Sequence, residues 1–420
     1  MFYFGSITLW YVMFGTVLAT ISASCVGTLT LLQKKPLAGD AIAHALLPGL
    51  CIGFMLAGEK LLLPLLIGAF ITGFLAFWLI DIIPEQSKVK EDSATALVLS
   101  LFFGIGLLGL TYLQRGGNAK QVGLSQFLFG NAASLQAEDV RVFSCLAAVL
   151  LAILFIFFRG LKLLIFDRSF AITIGYPVRW LDMLLRVMVV VAVVVGIQSI
   201  GLVLMTAMLI TPATAARFWT DRLLSMLAIA ALFATLSSVG GTVWSYQVTR
   251  LPTGPCIVLT MAAIAFFSFL VAPKRGVLAR MWEQSQYRKK VLQENVLKLF
   301  VKLEKKDGAA CKILSLETLL AHFHLPKRKM MGFLARLSRE GFLKRVKGQG
   351  WALTNKGRKE GEEIERLHLL WEAYMMHYLH IEADHVHEDA ESMEHLLTPT
   401  LRKELEVLIK STQRDGRLSG

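Results

Sequence analysis

The stretch from Val187 to Ala216, VMVVVAVVVGIQSIGLVLMTAMLITPATAA, contains no charged residue and decides the fold class of the chain. An α-helix rises about 1.5 Å per residue, so this stretch would form a helix of about 45 Å, whereas the apolar core of a bilayer is about 30 Å thick. The sequence GIQSIG, from Gly196 to Gly201, supplies glycines at which a helix ends or bends. The stretch therefore predicts two short membrane-crossing helices joined at a break.

Further apolar runs of about the length that spans a bilayer lie on both sides of this stretch. They are residues 1–33, 41–57, 61–80, 94–114, 140–158, 223–245 and 255–272. Together with the two crossings in 187–216 they predict nine spans. We therefore expect residues 1–273 to form an all-α polytopic membrane domain with about eight to nine transmembrane helices.

Charge divides the rest of the 420-residue chain, whose formal net charge is +13. Residues 274–359 hold 22 basic and 6 acidic side chains, whereas residues 360–420 hold 6 basic and 14 acidic ones. A basic surface of this kind is typical of proteins that bind polyanions. The sequence predicts four parts: a membrane domain at 1–273, a connector at 274–290, a basic domain at 291–359 and an acidic domain at 360–420.

Basic residues in the predicted loops set the orientation of the membrane domain. Cytoplasmic loops carry an excess of Lys and Arg. Lys34 and Lys35 follow the first span, the loop from 159 to 186 holds five basic residues, and Arg217 and Arg222 lie in a third loop. With an external N-terminus and nine crossings, these loops and the tail are cytoplasmic. Arg115, Lys120 and Arg250 would then be external, against the rule.

The membrane half carries no signature of an enzyme. The chain has no G-x-x-x-x-G-K-[ST] phosphate-binding loop, so we expect it to bind no nucleotide and ATP hydrolysis to occur in a partner subunit. Few ionisable residues lie within the apolar runs, which disfavours a proton-relay pump. The spans also lack the paired aspartates or Ser/His set of an intramembrane protease. The sequence favours a passive conduit that a partner subunit operates.

Two segments of the membrane half carry candidate functional residues. GDAIAHALLPG, residues 39–49, places Asp40 and His44 one helical turn apart, where a carboxylate and an imidazole can contact a divalent cation along a translocation pathway. The alternative is that Asp40 caps the helix and His44 packs in the bundle. FDRSFAITIGYP, residues 166–177, is a short amphipathic stretch in the most basic loop, which is also typical of an interfacial helix.

A third segment, GLVLMTAMLITPATAA at residues 201–216, mixes small residues with a proline. Small residues allow close helix packing, and a proline within a span frees a carbonyl that can line a pathway.

These three segments, together with LSQFLFGNAASLQAEDV at residues 124–140, resemble in sequence and order the permease subunits of ATP-binding-cassette importers for manganese, zinc and iron. The resemblance covers residues 5–273. It implies a pore formed with a second permease copy or a paralogue, an extracytoplasmic metal-binding receptor protein and a cytoplasmic ATP-binding subunit. It also implies that 166–177 is the helix that couples to the ATPase, through Phe166, Asp167, Ala171 and Gly175. Ala43 departs from the Ser that is common before the histidine.

The basic part of the tail has the pattern of a winged helix-turn-helix. Residues 286–304 have helical apolar spacing, residues 316–323 predict a short helix, and the run from Pro326 to Glu340 predicts a second one. Strand-like segments Phe342–Val346 and Gly350–Thr354 are separated by a turn sequence.

In such a fold the second helix lies in the major groove of double-stranded DNA, and the wing reaches phosphates. The expected DNA-contacting residues are Lys327, Arg328, Lys329, Arg336, Arg339, Lys344, Arg345 and Lys347. The alternatives are a basic domain attracted to the anionic inner leaflet and a winged helix used for protein contacts. Adhesion to the membrane explains the charge but not the order of the elements.

The acidic part of the tail is rich in histidine and carboxylate groups. Six candidate metal ligands occur within 28 residues, namely His368, Glu372, His387, Glu391, Glu394 and His395. Imidazole and carboxylate ligands without cysteine suit Mn²⁺ or Fe²⁺ at least as well as Zn²⁺.

Residues 290–410 resemble the diphtheria-toxin-repressor family of iron- and manganese-responsive regulators, from the winged helix to the segment HEDAESMEHLL. The resemblance implies one metal site at His368, Glu372 and His387 and another at Glu391, Glu394 and His395, with Glu294 as a loosely matched further ligand. It also implies a helical metal-binding and dimerisation domain, and hence a homodimer.

We therefore expect a permease of the bacterial inner membrane that imports a divalent metal ion, iron or manganese rather than zinc, and carries a cytoplasmic metal-sensing repressor. Release of the tail by proteolysis in residues 274–290 would let it reach DNA. The alternative is a tail that binds no DNA and acts as a metal-sensing gate on transport.

Overall fold

The computed structural model describes residues 7–58, 61–115, 137–248, 251–307, 313–323, 325–346 and 348–378. The chain divides into two compact units, Met1–Arg280 and Met281–Gly420.

The described part of the first unit is helical. Its helices are α1 (Ile7–Leu32), α2 (Pro36–Ala57), α3 (Leu62–Gln86), α4 (Glu91–Arg115), α5 (Ala137–Ile156), α6 (Phe158–Phe166), α7 (Arg168–Thr173), α8 (Val178–Ile200), α9 (Leu202–Trp219), α10 (Leu223–Gln247) and α11 (Thr253–Val271). Among the described residues, seven helices are long and apolar enough to cross a membrane, or eight if α5 and α6, bent by 67°, form one broken span. This confirms the predicted all-α polytopic class; the count of nine crossings stays a prediction.

The predicted break inside 187–216 is observed at Gly201. This residue ends α8 and precedes α9, and its φ of 99° lies in the region that favours glycine. Two shorter helices thus replace one that would exceed the thickness of the bilayer core.

Two glycines let helices of the first unit approach backbone to backbone. A Cβ atom at Gly49 of α2 would overlap the carbonyl oxygen of Gly68 in α3. A Cβ atom at Gly27 of α1 would overlap the carbonyl oxygen of Leu209 in α9 in the same way. Small residues at helix contacts are typical of membrane bundles, where close packing stabilises association. The first of these contacts fixes α2, which carries Asp40 and His44.

Buried hydroxyl groups join α1 to α10. The Ser238 hydroxyl contacts the Thr16 hydroxyl at 2.9 Å between oxygens, and Thr20 donates to the carbonyl of Ala234 at 3.4 Å. Interhelical hydrogen bonds of this kind contribute about 0.6 kcal/mol each within a membrane.

The described part of the second unit has the helix-turn-helix-wing order that the sequence predicts. It comprises α12 (Val277–Asp307, which begins in the first unit), α13 (Leu316–Phe323), α14 (Lys327–Arg339), β1 (Leu343–Val346), β2 (Gly350–Leu353) and α15 (Asn355–Tyr378). The two strands are antiparallel, with Leu343 opposite Leu353, and Leu314 forms an additional bridge to Trp351. Apolar residues of α12, α13, α14 and the strands form one core.

An ion pair fastens α15 to α12. Arg358 donates from Nε to one carboxylate oxygen of Glu304 at 3.1 Å and from Nη2 to the other at 3.2 Å. This bidentate geometry is the strongest form of the pair, and Glu304 is largely buried. Residues 277–290 of the predicted connector belong to α12, and the boundaries of the four predicted parts stay a prediction.

Candidate functional site

Asp40 and His44 lie on one face of α2, about 6 Å and about 12 Å along the helix axis from its first residue. The Nε2 atom of His44 is 3.5 Å from Oδ1 of Asp40. The ring also contacts Phe103 of α4 edge to face, with 4.9 Å between ring centroids. The sequence-predicted pair is therefore held together at the interface of α2 and α4.

The second ring nitrogen of His44, Nδ1, is buried and has no hydrogen-bond partner among the described residues. A buried polar atom without a partner costs about 1–3 kcal/mol, so its presence calls for a reason. The other nitrogen, Nε2, lies beside the Asp40 carboxylate, and an imidazole nitrogen next to a carboxylate is a suitable ligand set for a divalent cation. Both the pathway interpretation and the packing interpretation of His44 stay predictions.

The pair supplies only part of a coordination shell. Divalent ions bind at least four ligands, and the described residues contain no group of three or more His, Cys, Asp or Glu side chains that could hold one. A cation held by this pair would therefore need further ligands of another kind, such as water or carbonyl and hydroxyl oxygens.

A network of ion pairs that the sequence did not reveal lies at the α1–α2 turn. Lys35 contacts Asp81 at 3.2 Å and Glu91 at 3.5 Å, and Arg186 contacts the other oxygen of Asp81 at 2.8 Å. The Arg186 guanidinium also lies over the ring of Phe77, 5.6 Å from its centroid. The network joins the start of α2 to α3, α4 and α8, and it explains how charged residues are accommodated at the edges of apolar runs.

The coupling segment predicted at 166–177 forms a short helix, α7, with both ends capped. The Asp167 carboxylate accepts a hydrogen bond from the backbone N–H of Phe170 at 2.9 Å. At the other end, the N–H of Tyr176 bonds to the carbonyl of Ala171 and the N–H of Gly175 to that of Ile172, each at 3.0 Å. This is the Schellman arrangement, which needs the left-handed backbone of Gly175, φ 87°.

The same segment presents an apolar surface. Ala171 is fully buried against the protein, whereas Phe166, Phe170, Ile172 and Ile174 are each more than half exposed. Arg168 fixes the helix to α8 through an ion pair with Asp182, 2.6 Å from Nη2 to Oδ2. Exposed apolar side chains on a capped, anchored helix form a surface suited to a protein partner. The sequence alone did not identify Asp182 or the exposed apolar residues at positions 170, 172 and 174. The spacing of residues does not show which side of so short a helix packs against the protein.

The winged helix-turn-helix exposes most of the predicted DNA-contacting residues. Lys327, Arg328 and Lys329 are exposed on the first turn of α14, and Arg339 is exposed at its end. Lys344 and Arg345 are exposed on β1, with the Arg345 guanidinium 5.8 Å from the ring centroid of Trp351.

Two of the predicted DNA-contacting residues differ from the rest. Arg336 is half-buried, and its Nε donates to the Glu340 carboxylate at 2.7 Å. Lys347 lies outside the described residues.

The predicted metal ligands of the tail lie largely beyond the described part of the chain. His368 and Glu372 belong to α15, but their side chains are not described, and His387, Glu391, Glu394 and His395 lie outside the described residues. Glu294 lies on α12, 3.7 Å from the ammonium group of Lys290. The assignment of these residues to metal sites therefore stays a prediction.

Two family models match different parts of the chain. Residues 7–272 match the ABC 3 transport family, and residues 354–417 match the metal binding and dimerisation domain of the iron dependent repressor family. The first match covers more than half of the chain. The chain therefore belongs to the ABC 3 transport family and carries a C-terminal domain of the iron-dependent-repressor type.

Three known proteins are similar to large parts of this chain. The chain is 38% identical over 386 residues to the manganese transport system membrane protein MntC of Bacillus subtilis (strain 168), covering 91% of this chain and 88% of that protein. It is 39% identical over 291 residues to the zinc transport system membrane protein TroC of Treponema pallidum (strain Nichols), covering 69% and 97%. The solved structure of PsaBC from Streptococcus pneumoniae in complex with Fab shares 32% identity and a TM-score of 0.58, covering 64% of this chain and 94% of that one.

Proposed function

We propose that this chain is the permease subunit of an importer that moves a divalent metal ion into the bacterial cytoplasm, with iron or manganese favoured over zinc. The observation that carries the proposal is the Asp40–His44 pair with its orphaned Nδ1 atom. The relatives named as manganese and zinc transport proteins support the same class of substrate. The His and carboxylate groups of the tail favour iron or manganese as the sensed ion.

The proposal includes three partners. A cytoplasmic ATP-binding subunit docks on α7, an extracytoplasmic receptor delivers the ion, and a second copy of the permease or a paralogue completes the pore. The capped helix α7 with its exposed apolar surface supports the first of these. Helix α7 lies at the membrane surface that the basic loops predict to be cytoplasmic.

We expect Ile172→Asp to release the ATP-binding subunit. Ile172 is more than half exposed on α7, and a carboxylate buried in an apolar interface costs about 3 kcal/mol, more than 100-fold in the dissociation constant. The measurement is co-purification of the ATP-binding subunit with the tagged permease and ATP hydrolysis by the reconstituted pair.

Val89→Asp is the matched control for this substitution. Val89 is an exposed aliphatic residue in the turn between α3 and α4, outside the coupling segment. The control should bind the ATP-binding subunit as the unaltered chain does. Equal binding by Ile172→Asp and Val89→Asp would contradict the docking role of α7.

The tail is proposed to be a metal-dependent repressor that dimerises and binds double-stranded DNA. The exposed basic residues of α14 and β1 and the match of residues 354–417 support this role. Proteolysis in residues 274–290 would release it from the membrane. Because α12 begins at Val277, only 274–276 in this range precede the helix, and proteases act on extended chain.

Truncation after Gly276 distinguishes the repressor from a gate on transport. We expect the truncated permease to import metal at an unchanged rate in membrane vesicles, while metal-dependent repression in the native cell is lost. If the tail were instead a gate, uptake would rise at high internal metal and transcription would stay the same. The control is the full-length chain at matched abundance in the membrane.

A further inference from the structure

A cavity of about 280 Å³ lies at one end of the helical bundle, outside the Asp40–His44 pair. It is bounded by the turn between α1 and α2 and by residues of α3, α6, α7 and α8. Part of its wall is apolar, formed by Leu32, Phe77, Leu164 and Leu185 among others. Asp40, His44 and the exposed apolar side chains of α7 are not among the residues that line this cavity.

Cationic side chains dominate the polar part of the cavity. Lys34, Lys35, Arg168 and Arg186 line it, and Asp182 is the one carboxylate among the residues described as lining it. Asp182 pairs with Arg168, and Asp81 pairs with Lys35 and Arg186. Glu91 also contacts Lys35, at 3.5 Å. Three carboxylates therefore face four cations, which leaves an excess of one positive charge. An anionic ligand would balance this excess.

The backbone conformation of Lys34 also indicates that the cavity binds an anion. Its φ of 63° makes it the one non-glycine residue with positive φ in the part of the chain that the structure describes. Glycine or asparagine adopts this left-handed conformation at the end of a helix with less strain. The chain thus places a lysine where the backbone favours glycine, and the lysine brings a cation to the cavity.

We propose that the cavity binds the phosphate of an anionic phospholipid, with the start of the acyl chains against its apolar wall. Basic pockets between membrane helices on the cytoplasmic side are typical sites for such head groups. Arginine and lysine form charge-assisted hydrogen bonds to phosphate oxygens. The apolar wall favours a lipid over free phosphate, which would leave that wall without a partner. The proposal involves no step of metal transport and does not depend on the identity of the metal.

The test measures thermal unfolding of the purified full-length chain in a non-ionic detergent. Short-chain phosphatidylglycerol should raise the unfolding midpoint more than phosphatidylcholine of the same chain length. Lys34→Gly removes the charge and relieves the backbone, so the variant should fold with a midpoint at least equal to that of the unaltered chain without added lipid. It should lose at least half of the extra shift given by phosphatidylglycerol.

Two control variants should keep the full shift. Lys34→Arg retains the cation at the cavity, and Lys162→Gln removes an exposed cation of α6 that does not line it. Equal shifts with both lipids, or an unchanged shift in Lys34→Gly, would overturn the proposal. A full shift with inorganic phosphate alone would identify a simple anion site and overturn the lipid assignment. If no lipid effect is seen but Lys34→Gly weakens binding of the ATP-binding subunit, the occupant is a protein carboxylate, and the lipid proposal is wrong.

Discussion

His44→Gln is expected to lower ATP-driven uptake of manganese or iron by about 10- to 100-fold, the range typical of altering even the groups that only support a metal ligand. Gln keeps a polar side chain of similar length but lacks the ring nitrogens. One of these is buried and has no hydrogen-bond partner in the described part of the chain, and the other lies 3.5 Å from Asp40. Asp40→Asn should act in the same direction, because it removes the negative charge that attracts the cation and holds the imidazole in place.

The measurement is uptake into vesicles that contain the permease with its ATP-binding subunit and receptor. ATP hydrolysis in the absence of receptor should be unchanged, which shows that the variant still assembles. His322→Gln is the matched control, since His322 is an exposed histidine on α13 in the second unit. Normal uptake by His44→Gln would show that the ring serves only to pack against Phe103.

The second prediction with a large expected effect concerns the affinity of the tail for DNA. Lys327→Gln combined with Arg328→Gln should weaken binding of the full-length, manganese-loaded chain to its own upstream DNA by on the order of 100-fold at low salt. Both side chains are exposed on the first turn of α14. Each phosphate contact contributes about 0.9 to the slope of log affinity against log salt, so the slope should fall by about 1.8 in magnitude.

The control for this pair is Lys302→Gln combined with Lys359→Gln. Both lysines are exposed on α12 and α15, away from the helix-turn-helix and the wing, and the change in net charge is the same. The measurement is a binding titration over a range of salt concentrations, with and without a chelator. An equal loss of affinity in both double variants would mean that the overall positive charge of the tail attracts DNA and that α14 does not enter the major groove.

Local features of this molecule could be predicted from the sequence. Of the two glycines in the predicted break, Gly201 separates α8 from α9, whereas Gly196 lies within α8. The apolar spacing of Val296, Leu297 and Phe300 predicted the buried face of α12. The wing strands were predicted to within one residue at each end. In each case the signal lies within a few residues, because turn chemistry and helical periodicity are local properties.

Features that join distant segments could not be predicted. Lys35, Asp81 and Arg186 form one network although more than 40 residues separate each from the next. Nothing in their spacing shows which cation meets which carboxylate, because the partners are set by helix packing. The pair Asp40 and His44 was visible because its members are one turn apart, whereas the orphaned state of Nδ1 depends on the helices packed around it.

The contacts at Gly27 and Gly49 restrict how this sequence can change over evolutionary time. Every other amino acid carries a Cβ atom, and at either position that atom would overlap a backbone carbonyl oxygen of a neighbouring helix. No amino-acid substitution at these two positions is conservative, since even alanine requires two backbones to move apart. Mutational drift can therefore vary the lipid-facing side chains of α1 and α2 while these two positions stay fixed.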